Sequence, residues 1–517
     1  MRNNIGLYLG KRAHLNPDME AVVDTATGRR LSYREIDMGA NRVTNGMRGL
    51  GIKKGDRVAI LMMNSVEYVE SFMGLAKIGA VVVPLNWRLV AHELSYILKD
   101  SGAVAMIYGS DFAAVAGTLQ GGGAADTDIV HWIEFCEAGH VRDVFAMDYG
   151  DVVGHASTEV PEIDSGDDDD LFIMYTSGTT GLPKGALHTH NTMTWAIITF
   201  TTTTDIRYKD RYSIALPLFH VGALLPVMFT IYTAGTVVLL RQFDPKLMWE
   251  ITEAEKIATS LAVTAMLNAM LMVPEFARYD VSNLRSILSG ASPVPVSLIE
   301  KYQDIGIEIH QAYGLTEAGG PGTVLSPDEA MVRIGSAGKG FFHTSVRVVD
   351  QDGNDTVPGE PGELLVQAAH VMKGYSNNPD ATAETIRDGW LYTGDIALRD
   401  AEGFITIHDR VKDMIISGGE NVYPAELENV IATQEGMADV AVIGRDSERW
   451  GESPFAVVVA AKDHSVSKAD VLQHCDGKLA RFKQPKGAVF IDEIPRNPTG
   501  KPLKRILRQQ FPDPARE

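Results

Sequence analysis

Residues Leu171–Gly185 read LFIMYTSGTTGLPKG. Leu171–Tyr175 is apolar and reads as a strand. It runs into the loop Tyr175–Gly185, which holds two hydroxyl-bearing pairs, three glycines and a lysine. Glycines let a backbone approach a phosphate closely and adopt positive φ. Successive backbone N–H groups can then form an anion-binding nest. Ser177, Thr179 and Thr180 add hydroxyl donors and Lys184 adds a positive charge. The loop is not of Walker A type, which needs Gly-Lys-Ser/Thr after Gly and four residues. From Gly178 that spacing arrives at Pro183. A flexible glycine turn is the alternative reading of such a loop in isolation.

Upstream, Arg57–Met63 (RVAILMM) reads as a buried strand, Val66–Ile78 as a helix and Ala80–Val83 as another strand. Such alternation predicts α/β layers with mostly parallel strands. Gly117–Thr127 is expected to be a surface loop, and Asp164–Asp170 (DSGDDDD) a solvated entry loop rather than a metal site. From Val346 strand signals become denser, with short strands at Leu364–Gln367, Ala397–Arg399 and Phe404–Ile407, which suggests a β-rich lobe. Beyond Asp409–Asp413, Pro424–Ala432 reads as a helix, and Val440–Ile443 and Ala456–Val459 as strands. The predicted organisation is a large N-terminal domain of layered α/β subdomains plus the β-rich lobe, residues 1–411. A small mobile α/β domain, residues 412–517, follows.

A chain of 517 residues exceeds what one core supports, so at least two domains are expected. The formal net charge of −20 disfavours nucleic acid as a partner, since phosphate backbones need a basic surface. The two cysteines, Cys136 and Cys475, are too few and too far apart for a disulfide framework or a cysteine metal cluster, and a cytoplasmic setting is expected. The N-terminus lacks a signal-peptide core, and no apolar run is long enough to span a bilayer.

Four further segments carry chemistry. In Gln311–Glu317 (QAYGLTE) an aromatic beside glycine can stack on a purine, and Thr316–Glu317 offers hard oxygens for Mg²⁺. The competing reading is a helix cap. In Gly389–Asp395 (GWLYTGD) a carboxylate after a glycine turn can accept both hydroxyls of a ribose, or be a solvated turn residue. Pro495–Lys504 (PRNPTGKPLK) is a stiff loop that could present the Lys501 ammonium to a buried site, or leave it on the surface. In Ser417–Pro424 (SGGENVYP) adjacent glycines leave room for a thin chain, and a tight strand-to-helix turn explains them equally.

Together these strings resemble the adenylate-forming (ANL) superfamily over nearly the whole chain. Within it the chain is most similar to the acyl-CoA synthetases, particularly the soluble bacterial fatty-acyl-CoA synthetases of the mycobacterial long-chain type. The resemblance implies ATP, Mg²⁺ and CoA as co-substrates and a small-molecule carboxylic acid as the group activated. It implies that Thr176, Ser177, Gly178, Thr179, Thr180, Gly181 and Lys184 hold the ATP phosphates. Tyr313 would stack on adenine beside Gly290, Ala291, Gln311, Ala312 and Gly314, with Thr316 at the α-phosphate. Asp395, helped by Arg410 and near Ile407, would hold the ribose, and Thr176 and Glu317 the Mg²⁺. Lys501 would bridge the attacking carboxylate and the α-phosphate, so that Lys501, Lys184, Glu317 and His220 form the catalytic set. Lys412 matches the hinge position. Ser417, Gly418, Gly419, Glu420 and Trp450–Glu452 (WGE, with Gly451) would line the pantetheine path.

For the acid, Leu216–Gly222 (LPLFHVG) matches a pocket motif, giving Phe219, His220 and Val221 with Thr264, Gly290 and Gly314 as the acyl pocket. Amino-acid-activating relatives place an aspartate in this segment; here there is none. A medium- or long-chain fatty acid is the favoured acid. Aryl acids of the feruloyl or coumaroyl kind, alicyclic acids and sulfur-containing acids are alternatives, and acyl loading of a carrier protein is a remote one. Arg207, Lys209 and Arg211 (IRYKDR) could rest on anionic lipid headgroups, although a solvated charged segment is the simpler reading. A homodimer is also open.

Overall fold

The computed structural model describes residues 3–512 apart from 122–126, 138, 177–181, 291–293, 295, 327, 328, 330, 331, 334, 351, 411–414, 423, 462, 463, 465, 496–501 and 503. The architecture is α/β, as expected. The strand Asp170–Thr176 lies inside an eight-stranded sheet. It runs parallel to Val81–Pro84 on one side and antiparallel to Lys184–Thr189 on the other, with Thr176 opposite Lys184. The glycine-rich segment is therefore the connection of a hairpin, and its two ends bring Thr176 and Lys184 side by side.

A second, nine-stranded sheet carries the segments around Gly290 and Gln311–Glu317. Its parallel strands Ser286–Ser289 and Glu308–Tyr313 pair with Ser289 opposite Gln311, so Gly290 and Gly314 both emerge at carboxyl ends. Open α/β sheets bind ligands at that edge. One hydrophobic cluster ties the two sheets together, with Val58 and Ile60 from the first, Tyr212, Val237 and Leu239 from the second, and Tyr68, Phe72 and Met73 of the helix Val66–Ile78. Ser65 caps that helix at Tyr68 N, and Gly79 ends it in the left-handed region at φ 80°. The helix is buried almost all round. Its buried Lys77 is tolerated because Asp37 (2.5 Å) and Asn41 (2.6 Å) accept from the ammonium.

The β-rich lobe is a five-stranded sheet built from Ser345–Val349, Pro361–Gln367, Ile386–Arg387, Trp390–Arg399 and Ile405–Arg410. A further five-stranded sheet holds Ile415–Ser417, Glu420–Val422, Met437–Ser447, Gly451–Ala460 and Gly487–Phe490. The expected boundary near Lys412 lies outside the described residues, between these two sheets.

Two local expectations change. The segment from Gly117 is helical as far as Gln120, within Ala113–Gln120, because Ala116 and Leu119 are buried on one face. Gly389–Asp395 does not form a separate turn: Trp390–Arg399 is one ten-residue strand, with Gly394 at φ 73° inside it. The irregularity is held by Thr393 Oγ1 donating to Leu364 O (2.7 Å) and by Gly394 N donating to Glu363 Oε1 (2.9 Å). In the basic cluster Arg211 binds Glu20 and Glu255 and Arg207 binds Asp205, while Arg207 and Lys209 remain exposed. Among the described residues, no helix is long and apolar enough to cross a membrane.

Candidate active site

The hairpin and the carboxyl edge of the nine-stranded sheet converge on Glu317. Its Oε1 accepts from Thr176 Oγ1 (3.1 Å) and from Tyr375 OH (3.0 Å), and the Lys184 ammonium lies 5.1 Å from the Tyr375 ring. Glu317 sits in a short 3₁₀ turn, Thr316–Ala318. Two buried histidines support that turn through its carbonyls. His188 Nε2 bonds Thr316 O at 2.8 Å, and His370 Nδ1 bonds Ala318 O at 2.7 Å. As acceptors, both carbonyls require the imidazole nitrogens facing them to carry hydrogen, which fixes the tautomers.

Burial pushes His188 and His370 down to about 4, and the nearby His190 likewise. A histidine whose folded pKa is depressed contributes stability that is complete above its ordinary pKa near 6.5. That stability is lost as pH falls toward 4, because the unfolded chain takes up the proton first. Each such histidine steepens the pH dependence of stability by about 1.4 kcal/mol per pH unit in that window. Urea midpoints at pH 6.5, 5.5 and 4.5 should therefore fall less steeply in His188→Gln than in wild type. Equal slopes would contradict this account of the turn's support.

Tyr313 OH donates to Asp395 Oδ2 at 2.6 Å, so the aromatic and carboxylate motifs meet although 82 residues separate them. Ile407 packs in the same cluster as Tyr313, and Arg410 lies opposite Asp395 across the ladder. Gly314 cannot be replaced without a clash: a Cβ there would lie 1.8 Å from Gly320 O. At Gly290 a Cβ would meet Ala312 O at 2.8 Å. Gln311 is buried, with Oε1 accepting from Val294 N at 3.2 Å.

One cavity runs past several of these, without Asp395, Gln311, Lys184 or Tyr375 in its lining. Thr176, Gly290, Ala312, Tyr313, Gly314, Thr316 and Glu317 line it, and so do Phe219, His220 and Val221. Leu261 and Val263 contribute where Thr264 was expected; Thr264 is the next residue along and is not part of the lining. The strands and loops after residue 415 close the cavity, through Gly419, Glu420, Phe482 and Lys483. His220 Nε2 lies 3.2 Å from Glu420 Oε1, and Arg88 is ion-paired with the same carboxylate. Although 42 % of its side chain opens on the cavity, His220 is surrounded by protein. Burial first, and then the Arg88 guanidinium, push it down to about 3, so it stays neutral at ordinary pH. The Arg88 guanidinium also lies 4.5 Å from the Trp87 ring, which meets Phe219 edge-on at 5.9 Å.

Around the glycine pair, Gly418 N donates to Trp450 O (2.8 Å), and a Cβ at Gly418 would lie 2.7 Å from the indole. Ser417 pairs with Gly451, and Glu452 Oε2 accepts from Ile416 N at 2.9 Å. The segment is thus a tight turn that also faces the cavity. Ser177, Gly178, Thr179, Thr180, Gly181, Ala291, Lys412 and Lys501 lie outside the described residues. Sequence reasoning missed Tyr375, Arg88, Trp87, Phe482 and Lys483. Tyr375 reaches the hairpin through its own short strand Gly374–Tyr375 against Leu187 and Ala186, Arg88 reaches Glu420, and Trp87 reaches Phe219.

Comparison with known proteins agrees with this geometry. Residues 9–376 match the family model of AMP-binding enzymes, and 426–501 match that of the AMP-binding enzyme C-terminal domain. The chain therefore belongs to the AMP-binding enzymes, and within them it is an AMP-forming acyl-CoA synthetase. It is 43 % identical to the long-chain-fatty-acid–CoA ligase FadD13 of Mycobacterium tuberculosis, with 98 % of each chain covered. It is 39 % identical to a feruloyl-CoA synthase of an Amycolatopsis species, covering 99 % of this chain and 100 % of the other. Among solved structures, it matches a double mutant of o-succinylbenzoate CoA synthetase (MenE) from Bacillus subtilis bound to its product analogue OSB-NCoA. That match has a TM-score of 0.87 at 31 % identity, with 98 % of each chain covered. The same Bacillus enzyme in complex with AMP gives 0.71, at 30 % identity over 100 % of this chain and 99 % of the other. The overall likeness is thus greater to the OSB-NCoA complex than to the AMP complex.

Proposed function

We propose that this acyl-CoA synthetase activates a medium- or long-chain fatty acid, and that residues 412–517 turn as a unit between its two half-reactions. A carboxylate oxygen attacks the α-phosphorus of ATP, pyrophosphate leaves, and a mixed anhydride forms. Two anions must meet, so repulsion dominates the barrier, and fixed positive charge lowers it. Lys184 at the hairpin exit and Lys501 on its loop provide that charge, while Tyr313 and Asp395, with Arg410, hold the nucleoside. Glu317 and the Thr176 hydroxyl form an all-oxygen donor pair that suits Mg²⁺, an ion commonly held by one or two carboxylates plus substrate phosphates. Mg²⁺ bound there would offset phosphate charge. The CoA thiolate then attacks the acyl carbon and AMP leaves, with Gly418, Gly419 and Trp450–Glu452 along the thiol's path. The cavity-facing placement of Gly419 and Glu420, and the likeness to the OSB-NCoA complex, support assigning the present arrangement to this second step.

The observation that carries the choice of acid is one wall of the cavity. Phe200, Leu216, Leu225, Leu288 and Phe341 line it and all belong to the main hydrophobic cluster or pack on it. An alkyl chain laid there gains about 0.8 kcal/mol per buried methylene. A phenolic hydroxyl pressed against the same wall would lose hydrogen bonds to water without replacement. The aryl alternative draws on the stack of Phe200 with Phe229 (4.6 Å) and Phe341 (5.8 Å), a surface that also suits a flat ring. Measured kcat/KM should rise with each added methylene from eight carbons upward and exceed that for ferulate by at least about tenfold. Ferulate or coumarate outperforming every fatty acid would reverse the assignment.

A further inference from the structure

Lys483 is the least expected residue in the cavity wall. Its ammonium donates to Glu93 Oε1 and to Glu426 Oε1, each at 2.8 Å. The three side chains are only 5 %, 7 % and 9 % exposed for Lys483, Glu93 and Glu426. Glu93 belongs to the helix Ala91–Ser101, on the ATP side of the molecule, while Glu426 starts the helix Pro424–Ala432 beyond the expected hinge. Glu93 Oε2 also accepts from Ala480 N at 3.2 Å, three residues before Lys483 in sequence. Ala480 and Phe482 pack into the apolar cluster of Leu89, Leu94 and Ile97. The contact therefore joins the two parts of the chain through buried, charged and directional groups.

We propose that Glu93 and Lys483 form a latch that holds the C-terminal part in the orientation used for thiol attack, making Lys483 a positioning residue for the second half-reaction. The inference rests on the function proposed above. Its physical basis is the asymmetry of the trio. Lys483 and Glu426 lie on the same side of the hinge and stay together when the C-terminal part turns. Glu93 lies on the other side, so only its bonds to Lys483 and Ala480 are specific to this orientation. Glu426 Oε2 is buried and has no hydrogen-bond partner among the described residues. Burial pushes that carboxyl up to about 7. The same burial weakens the charge on Glu426, which leaves Glu93 as the stronger counter-charge to Lys483. An ion pair that excludes water is strong where its geometry is good and costly to break one-sidedly.

Glu93→Gln removes the charge while keeping volume and an acceptor for Val90 N and Ala480 N, so the helix cap is preserved. In single-turnover experiments with the full chain, E93Q should lower acyl transfer from preformed acyl-AMP to CoA about tenfold or more. Pyrophosphate release without CoA should stay within about twofold. The double variant E93K/K483E again places one ammonium among two carboxylates and should recover part of the lost transfer rate. Unchanged acyl transfer in E93Q, or equal loss of both half-reactions, would overturn the latch while leaving the proposed function standing. A wild-type enzyme that forms acyl-AMP but transfers nothing to CoA would overturn both.

Discussion

Lys501→Ala should lower pyrophosphate release from ATP and acid by about 10²–10³-fold, about 2.7–4 kcal/mol of transition-state stabilisation. Transfer from preformed acyl-AMP to CoA should stay within about threefold, because that step makes no call on the lysine. In the present arrangement Gly419, Glu420, Phe482 and Lys483 of the C-terminal part close the cavity. Two different faces of one rigid C-terminal part cannot close one site at the same time. If the account is right, the loss is confined to the first half-reaction and appears in kcat rather than in the KM for acid. Equal loss of both steps would rule out a domain that turns between them.

Glu317→Gln is expected to cost nearly as much, and for a separable reason. Gln retains the shape and an oxygen to accept from Thr176 Oγ1 and Tyr375 OH. It loses the negative charge that makes the site a hard-cation ligand. The variant should lose about 10²-fold or more in kcat/KM for ATP, with half-saturation for Mg²⁺ shifted upward about 10–100-fold. Thermal stability should change little, because the surrounding turn is held by His188 and His370 through backbone carbonyls. A loss of activity that Mg²⁺ cannot reduce at any concentration would place the metal elsewhere.

The meeting of the Thr176–Lys184 hairpin with Glu317, and of Tyr313 with Asp395, was legible through the resemblance of their short strings to a known family, since each string alone also reads as a cap or a turn. The layered α/β order was legible for a different reason: apolar runs such as Arg57–Leu61 and the helix Val66–Ile78 carry their periodicity locally. Gly394 misled because glycine with positive φ ordinarily signals a turn, whereas side-chain bonds from Thr393 and to Glu363 hold it inside a strand. Arg88 meets Glu420 across 332 residues, and Lys483 meets Glu93 across 390. Each is an ordinary charged residue in an ordinary setting until the other part of the chain arrives. The same holds for Tyr375, whose hydroxyl reaches Glu317 from a two-residue strand.

The most direct measurement follows an oxygen atom. With a fatty acid labelled by ¹⁸O in both carboxylate positions, the account predicts one labelled oxygen in the phosphate of AMP and one in the thioester carbonyl, with none in pyrophosphate. Label in pyrophosphate or in inorganic phosphate, or AMP released without label, would contradict formation of an acyl-adenylate at the Thr176–Glu317 site.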